Sequence, residues 1–410
     1  MSRYLSDKNS PYYIDHPGRI KKVQELMAKN NIDVYIGSRL RTMSWTTDVF
    51  CPWRSYIVIP AEGLPTAFIF VIDAGRVMDE TWLPEENVMA FAPMGGADQI
   101  TIISDFINEE CLKGKKGRIG VEAGMGCYLP EGNLTWYEYE QFKAALEPSE
   151  LVNALDIIDE LQMIKDIGTI NRFRHASEIC DAGHYGFLND IKNGGWKGMT
   201  ETEVAGLCGY HMRKAGSLWE WSFTGGNEIA SGYRTGLAAC ACTPATDKKL
   251  AYGEPLMVDI HSMFMLTEGD HSHNYFLGAA TDRQLWHAHN FETIVTATLN
   301  AYKAGCSPSS LSEELMELAA AQGFADYMVP GFEHGIGMIG DEWRIGMNDG
   351  PIPYWTNPDH IYQENEMVIC AMQYACPEED IGFRYENPIL ITKDGCEYMS
   401  KFPLKIEVIE

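Results

Sequence analysis

The sequence has few basic residues. Lys and Arg number 32 against 58 Asp and Glu, which gives a formal net charge of −26. Such an excess of negative charge repels phosphate backbones and anionic lipid headgroups, so we expect no nucleic-acid partner and no membrane partner. The chain also lacks an apolar run near the ~18 residues that a membrane-spanning helix needs. Its polar first residues, MSRYLSDKNSPYY, predict no secretory signal peptide.

The cysteines lack any recognisable pairing pattern. There are 11 of them, an odd number, without CxxC pairs or zinc-finger spacing. Scattered cysteines in a long chain are typical of reduced thiols, which predicts a cytoplasmic protein. The length of 410 residues and the 45% of apolar residues indicate a globular chain of two or three domains.

The first part of the chain mixes helical and strand patterns. Apolar residues follow a helical period after His16. Short apolar runs then predict strands, two of them forming a hairpin around Gly63. These strands are predicted at Ile32–Ile36, Ser55–Ile59, Thr66–Ile72 and Gly117–Glu122. Strands that alternate with helices indicate an α/β domain, which we place at residues 1–155.

From about Leu155 the pattern becomes a long helical stretch, interrupted near Gly168. Two similar phrases follow, GMTETEVAGLCGYHMRKAG from Gly198 and GCSPSSLSEELMELAAAQGF from Gly305. Each has a Ser or Thr cap, an amphipathic helix and a Gly near its end. This repeat predicts a second domain with pseudo-two-fold symmetry, residues 156–410.

The segment MVDIHSMFMLTEGDHSHNYFLG holds the densest group of chemical side chains. Asp259 and Asp270 lie eleven residues apart in two strand-like runs, a spacing that suits a hairpin. Two adjacent carboxylates repel each other unless a proton or a cation lies between them, so a metal is a natural partner. Strand alternation places His261 on the face of Asp259, and His271 with His273 on one face of the other strand.

Two later segments add candidate ligands. His334 stands in the Gly-rich phrase GFEHGIGMIGDEW, where glycines allow close approach of a ligand. Glu386 stands beside Arg384 in GFRYENPILIT, an apolar strand in which an acid needs a partner. That partner is either a metal or an arginine.

With these motifs together, the chain resembles the creatinase/aminopeptidase P family over nearly its whole length. IDVYIGSRLRTMSWTTDV and GRIGVE are similar to the family's first domain, and QMIKDIGTINRFRHASEI to its first catalytic-domain helix. The resemblance implies an α+β pita-bread catalytic domain, a pseudo-two-fold curved antiparallel sheet flanked by helices. A creatinase-type α/β domain precedes it. The metal positions of the family match Asp259, Asp270, His334 and Glu386 in order.

The chain departs from the family pattern at several positions. A metal-binding glutamate is replaced by Met372, with Gln373 beside it. We therefore expect about one divalent ion per chain (Fe, Zn, Mn or Co) rather than two. The family's peptidases carry a histidine seven residues after the one that matches His334, and here that position is Asp341. They carry another histidine before the first metal-binding aspartate, but the 223–258 segment contains none. The loss of both argues against a proline-directed peptidase.

The remaining site predictions concern proton transfer and substrate binding. His261 and Asp341 are predicted to move the proton. The paired indoles of Trp219 and Trp221 suit a cationic substrate. In dimeric relatives the region of Arg54 caps the partner's site, which predicts a carboxylate contact and a homodimer.

Two further residues, Arg234 and His273, are predicted to bind substrate. Arg234 lies in SGYRTG, which resembles the dimethylsulfoniopropionate lyase branch of the family, and His273 lies beside the paired acids. The resulting hypothesis is a metal-dependent hydrolase that cleaves a C–N bond in a small zwitterionic or cationic compound. The alternatives are a C–S lyase, an Xaa-Pro peptidase and a binding protein that has lost catalysis; creatinase is a precedent for C–N hydrolysis without metal.

Overall fold

The structure is a computed structural model that describes residues 7–92, 98–123, 132–220, 226–237, 243–329, 333–342 and 360–410. The chain divides into two compact units, Met1–Met163 and Ile164–Glu410. The division falls one helix later than the predicted 155/156 boundary, because the helix Leu155–Met163 packs on the helix His16–Lys29 of the first unit.

The first unit is an α/β domain, as the alternating pattern predicts. Its helices are α1 (His16–Lys29), α2 (Leu40–Thr47), α3 (Val71–Glu80), α4 (Gln99–Phe106), α5 (Trp136–Ala145) and α6 (Leu155–Met163). Its strands are β1 (Val34–Gly37), β2 (Tyr56–Pro60), β3 (Thr66–Phe70), β4 (Val88–Phe91), β5 (Arg118–Val121) and β6 (Glu150–Asn153). They form one sheet in the order β4-β3-β2-β1-β5-β6.

One strand of this sheet is shorter than predicted. The run to Ile72 ends at Phe70, and α3 begins at Val71. Asp73 in the first turn of α3 favours a helix start there, since a negative charge is stabilised at a helix N-terminus.

The second unit contains four helices in its described residues: α7 (Ile167–Ile191), α8 (Glu201–Ala215), α9 (Asp282–Ala301) and α10 (Pro308–Gln322). The interruption near Gly168 is the break between α6 and α7. Thr200 caps α8 and Ser307 caps α10, and each helix ends at a glycine with positive φ, Gly216 and Gly323. The repeated sequence phrases therefore form two equivalent capped helices.

The strands of the second unit form three sheets, in which neighbouring strands are antiparallel except for one edge strand that pairs parallel with its neighbour. They are β7 (Glu228–Ser231), β8 (Pro255–Phe264), β9 (Thr267–Leu277), β10 (Glu333–Gly337), β11 (Gly340–Glu342), β12 (Met367–Cys370), β13 (Met372–Cys376), β14 (Ile381–Tyr385), β15 (Pro388–Ile391), β16 (Cys396–Tyr398) and β17 (Glu407–Ile409). The sheet orders are β17-β9-β8-β7, β11-β10-β12-β15-β16 and β13-β14.

Each half of the second unit has helices and a group of strands, which matches the predicted pseudo-symmetry. The long helix α7 packs on β8 and β9. Its apolar face joins a core that includes Phe187, Val258 and Ile260. Among the described residues, no helix combines the length and the apolar character that crossing a bilayer requires.

Candidate metal centre and catalytic site

The hairpin β8–β9 brings the two predicted aspartates to one face. The strands pair antiparallel with Asp259 opposite Ser272 and His261 opposite Asp270. Residues directly opposite each other project from the same face of a sheet. Asp259, His261 and Asp270 therefore line one surface of the hairpin, and all three side chains are buried. The predicted hairpin and the shared face of Asp259 and His261 are confirmed.

His334 and Glu386 reach this face from two other strands. His334 lies on β10, and its Nε2 stands 3.8 Å from Asp270 Oδ2 and 3.7 Å from Glu386 Oε1. Glu386 follows β14, and its backbone bridges to Ser272 of β9. The Ser272 hydroxyl donates to Glu386 Oε2 at 2.6 Å. The ligand atoms of Asp270, His334 and Glu386 all lie within 4.8 Å of one another, close enough to share an ion.

Asp259 belongs to a second group with Glu228 and His261. These three ligand atoms are also within 4.8 Å of one another. Glu228 lies on β7, directly opposite Asp259 in the strand register. The structure thus holds two adjacent groups of candidate metal ligands on the same hairpin.

Arg384 places its guanidinium between these carboxylates. Its Nη1 is 3.0 Å from Asp259 Oδ2 and 3.0 Å from Glu228 Oε2, and its Nη2 donates to Glu386 Oε1 at 2.6 Å. Burial raises the pKa of Glu386, but Arg384 and then His334 overcome this effect and hold that pKa below its ordinary value. The arginine and the metal interpretations of Glu386 are therefore compatible.

The cluster carries more negative charge than its arginine neutralises. Its buried carboxylates are Glu228, Asp259, Glu268, Asp270, Asp341 and Glu386. Burial and the charge of Glu386 raise the pKa of Asp270 well above its usual range. Burial likewise raises the pKa of Glu268 to about 7. Ionising all of these groups together requires further positive charge, which comes either from His261 and His334 in their protonated forms or from a bound cation.

The buried donor atoms of this cluster fit a divalent ion. Asp270 Oδ1 and both oxygens of Asp259 are buried and accept no hydrogen bond from the described chain, although Arg384 stands beside Asp259. Burying a carboxylate oxygen without a hydrogen bond lowers the stability of the folded chain unless the oxygen binds a cation. Two carboxylates and an imidazole at Asp270, His334 and Glu386 are donors suited to Fe, Zn, Mn or Co.

Met372 supplies no donor oxygen to this centre. It is fully buried on β13, and Thr298 Oγ1 of α9 lies 3.6 Å from its Sδ. The loss of one family ligand is therefore real in three dimensions. It is the basis for expecting fewer than two tightly held ions.

His261 is bordered by acids on both ring nitrogens. Its Nδ1 lies 3.1 Å from Glu268 Oε1 and 3.7 Å from Asp270 Oδ1, and its Nε2 lies 3.5 Å from Asp259 Oδ1. Burial lowers the pKa of His261, but Asp259 and Asp270 together raise it well above its usual value. The predicted proton-transfer residue thus lies beside the candidate ion.

Asp341 has a different position from the one predicted. It lies on β11, and its Oδ1 is 3.4 Å from Nδ1 of His334, the ring nitrogen opposite the one that faces Asp270. The Nδ1 atom also lies 3.0 Å from the Gly335 carbonyl oxygen. Asp341 therefore orients His334 from behind, which corrects its prediction as a proton-transfer group at the substrate.

The arginines predicted to bind substrate are engaged by acids of their own units. Arg54 donates to Glu138 through Nε at 2.8 Å and Nη2 at 2.6 Å. Arg234 lies 3.1 Å from Glu201, and its Nη2 donates to a backbone carbonyl at 2.8 Å. Both guanidinium groups are thus already paired within their own units, and their contact with a substrate carboxylate stays a prediction.

His273 lies on the reverse face of the hairpin. Side chains alternate between the two faces of a strand, and His273 lies three residues after Asp270 on β9. His273 therefore points away from the side that carries Asp270. Its ring packs against His184 and Phe402, each with a centroid distance of 4.6 Å. Burial lowers the pKa of His273, which keeps it neutral. This packing corrects its prediction as a substrate residue.

The predicted aromatic pair is only partly described. Trp219 is half-buried, and the preceding residue Leu218 donates its N–H to the Met263 carbonyl at 2.8 Å near the end of β8. Trp221 lies outside the described residues. Cation recognition by this pair stays a prediction.

Sequence reasoning missed two acids of the site. Glu268 precedes Asp270 by two residues on β9, so the same alternation that joined Asp259 with His261 would have placed it on the active face. Glu228 carries no comparable signal. Only its register opposite Asp259 brings it to the site.

The comparisons with known proteins agree with this architecture. The model of the metallopeptidase family M24 matches residues 171–393, more than half of the chain, and that of the creatinase/prolidase N-terminal domain matches residues 19–164. The Xaa-Pro dipeptidase of Pyrococcus furiosus is 25% identical, over 93% of this chain and 97% of its own length. The ectoine hydrolase of Halomonas elongata is 22% identical, over 96% and 97%.

Solved structures show the same fold. The prolidase of Pyrococcus horikoshii superposes with a TM-score of 0.78 at 21% identity, covering 94% of this chain and 99% of that one. The Xaa-Pro dipeptidase of Bacillus anthracis has a TM-score of 0.80 at 18% identity, covering 96% and 100%. The expected pita-bread fold with a creatinase-type N-terminal domain is thereby confirmed, and the chain belongs to metallopeptidase family M24.

Proposed function

We propose that this protein is a metal-dependent hydrolase that cleaves a C–N bond in a small zwitterionic or cationic compound. The observation that carries the proposal is the buried cluster of six carboxylates, three of which are paired with Arg384. This charge balance favours a divalent ion and a substrate with a positive group, and it disfavours anionic substrates.

The ion is proposed to be held by Asp270, His334 and Glu386, with Asp259 adjacent. When bound, a divalent ion supplies Lewis-acid activation of water or of the scissile carbonyl or amidine group. Ser272 fixes one oxygen of Glu386, and Asp341 fixes the ring of His334. These contacts hold the ligands in place before substrate arrives.

His261 is the proposed proton carrier. Hydrolysis removes a proton from the attacking water and delivers one to the departing nitrogen as the C–N bond breaks. Glu268 orients His261 through Nδ1, and Nε2 lies on the Asp259 side. Asp259 and Asp270 are the acids that raise the pKa of His261, so once a bound ion neutralises them, Nε2 can accept and return the proton. The same residue thus serves first as base and then as acid.

The principal alternative is hydrolysis of Xaa-Pro dipeptides. The match to the Xaa-Pro dipeptidase of Pyrococcus furiosus favours it, as the match to ectoine hydrolase favours the non-peptide substrate. Against the peptidase stands Asp341, which occupies the place of a peptidase histidine. The C–S lyase alternative uses the same acids to bind a sulfonium substrate, so one substrate panel separates all three.

The test combines metal analysis with that panel. Protein purified without added metal is analysed for bound ions and then assayed on ectoine, creatine, an Xaa-Pro dipeptide and a sulfonium propionate. We expect activity on a C–N bond of a non-peptide compound, lost in Asp270→Asn and kept in the control Cys306→Ser. Turnover of the dipeptide at a kcat/KM above ~10⁴ M⁻¹s⁻¹ would favour the peptidase, and release of dimethyl sulfide would favour the lyase.

A further inference from the structure

A third group of metal-ligand side chains lies outside the catalytic cluster. His287 of α9, Cys376 at the end of β13 and Glu379 in the following turn offer ligand atoms within 4.8 Å of one another. None of them contributes to the proposed reaction. The group joins a helix to a strand and contains the nitrogen and sulfur donors that zinc prefers.

His287 presents an unsatisfied nitrogen to this group. The side chain is fully buried, and Nε2 makes no hydrogen bond with the described residues. Its nearest anion is Glu379 Oε2, 3.4 Å away. On the other side of the ring, Nδ1 and the Tyr374 hydroxyl are 2.6 Å apart. When the proton is on Nδ1, that N–H donates a hydrogen bond to the Tyr374 hydroxyl, and the lone pair of Nε2 points at Cys376 and Glu379.

The protonation states of the histidine and the glutamate suit a metal. Burial and the charge of Arg283 lower the pKa of His287, which keeps the imidazole neutral. Hydrogen bonds from Arg283 lower the pKa of Glu379 to about 2, which keeps the carboxylate ionised. A neutral imidazole and an ionised carboxylate are the forms that bind metals.

Cys376 and Glu379 complete a site with access from solvent. Cys376 is buried, whereas 33% of the Glu379 side chain is exposed. Arg283 holds Oε1 of Glu379 at 2.7 Å through Nη2, so the carboxylate is already oriented. Oε2 is the oxygen nearer to His287, and it is the one placed to bind an ion while Oε1 stays on the arginine.

We propose that His287, Cys376 and Glu379 form a zinc-binding site, separate from the catalytic centre, with a water molecule as fourth ligand. Binding exchanges the thiol proton of Cys376 for a zinc–sulfur bond and releases that proton to solvent. Zinc neither gains nor loses electrons in this step. Affinity should therefore rise with pH, as it does for other thiolate sites.

Cobalt(II) distinguishes the two metal sites directly. A thiolate ligand gives cobalt a near-ultraviolet charge-transfer band, and the catalytic cluster contains no cysteine among its described residues. We expect the band in the full-length protein after chelator treatment and cobalt addition, and its displacement by zinc. It should persist in Asp270→Asn and in the control Cys306→Ser, a half-buried cysteine elsewhere in the second unit.

Three variants test the site itself. Cys376→Ser should abolish the band, and His287→Gln should weaken zinc binding at least ~10-fold in competition with a chromophoric chelator. Tyr374→Phe removes only the partner of Nδ1, and it should weaken zinc by about 10–100-fold while the band remains. Absence of the band from the unaltered protein, its survival in Cys376→Ser, or unchanged zinc affinity in both His287→Gln and Tyr374→Phe would overturn the proposal.

Discussion

His261 is the residue on which the proposed chemistry depends most. It is buried beside Asp259 and hydrogen-bonded to Glu268, yet it is not one of the three residues that hold the proposed ion. We predict that His261→Asn and His261→Ala keep the metal and lower kcat by ~10²–10⁴, the usual range for loss of a general acid–base group. Elemental analysis and steady-state kinetics on the same samples measure both effects.

A matched histidine gives the control for this prediction. His211 on α8 pairs with Asp190 near the surface, so His211→Asn should leave kcat unchanged. Loss of metal from both His261 variants would make His261 a ligand instead. Full activity of His261→Ala would reduce it to a packing residue.

Arg384 balances the carboxylates of the site. We predict that Arg384→Met lowers the free energy of unfolding of the metal-free protein by about 3–5 kcal/mol, because Asp259, Glu228 and Glu386 lose their buried partner. A saturating divalent ion should recover part of this loss by supplying positive charge. Urea unfolding with and without Mn²⁺ measures the difference.

Arg174 is a suitable comparison, since its ion pair with Glu397 lies partly in solvent. Arg174→Met should lower the free energy of unfolding by less than about 1 kcal/mol, and this loss should be the same with and without the ion. An identical loss for Arg384→Met in both conditions would show that the arginine and the ion do not share the same carboxylates.

At the scale of elements, Glu122 fastens the start of α2 to β5. It accepts hydrogen bonds from the Ser38 and Arg39 backbone at 2.5 and 2.8 Å, and from Arg39 Nε at 2.8 Å. Burial raises the pKa of Glu122, but Arg39 and these hydrogen bonds lower it below its ordinary value. The carboxylate thus acts as an N-terminal cap supplied by a distant strand.

This network predicts acid sensitivity in the first unit. Because the pKa of Glu122 is lower in the folded chain, its contribution to the free energy of unfolding is complete above the unfolded value of about 4.3. It is lost as the pH falls from there through the folded pKa. Glu122→Gln should cost about 3–5 kcal/mol near pH 7 and progressively less in acid, as followed by urea titrations.

The exposed Glu86 provides the reference for acid effects that do not involve this network. Glu86→Gln should change the free energy of unfolding by less than about 0.5 kcal/mol at either pH. A destabilisation in Glu122→Gln that stayed constant down to the lowest pH would contradict the assigned role of the ionised carboxylate.

At the scale of the molecule, the acidic composition and the buried acids act together. An ion that binds only the folded chain raises the free energy of unfolding by about 2.7 kcal/mol at a concentration 100 times its Kd. We predict a gain of this size on adding Mn²⁺, whose preference for oxygen donors directs it to the carboxylate cluster. Thermal unfolding over a series of Mn²⁺ concentrations measures it.

The gain should disappear in Asp270→Asn and remain in His287→Gln, because only the first variant alters the carboxylate cluster. A gain that persisted in Asp270→Asn would place the ion elsewhere. The homodimer expected from the family stays a prediction, and sedimentation equilibrium of the full chain measures it directly.

The sequence by itself determined the fold and most of the proposed ligands. Strand alternation and the spacing between Asp259 and Asp270 are local properties, so they predicted the hairpin and the face shared with His261. The family resemblance added His334 and Glu386 in the right order. Residue type alone also showed that Met372 offers no carboxylate oxygen.

Tertiary structure decided which side chains meet. Alternation separated His273 from Asp270, but only the packing of α7 on the hairpin decided which face is the core and which the site. Strand register alone brought Glu228 opposite Asp259, and chain folding turned Asp341 toward the rear of His334. Local patterns fix periodicity and donor chemistry, whereas the pairing of distant strands, which no local pattern encodes, fixes distances between charges.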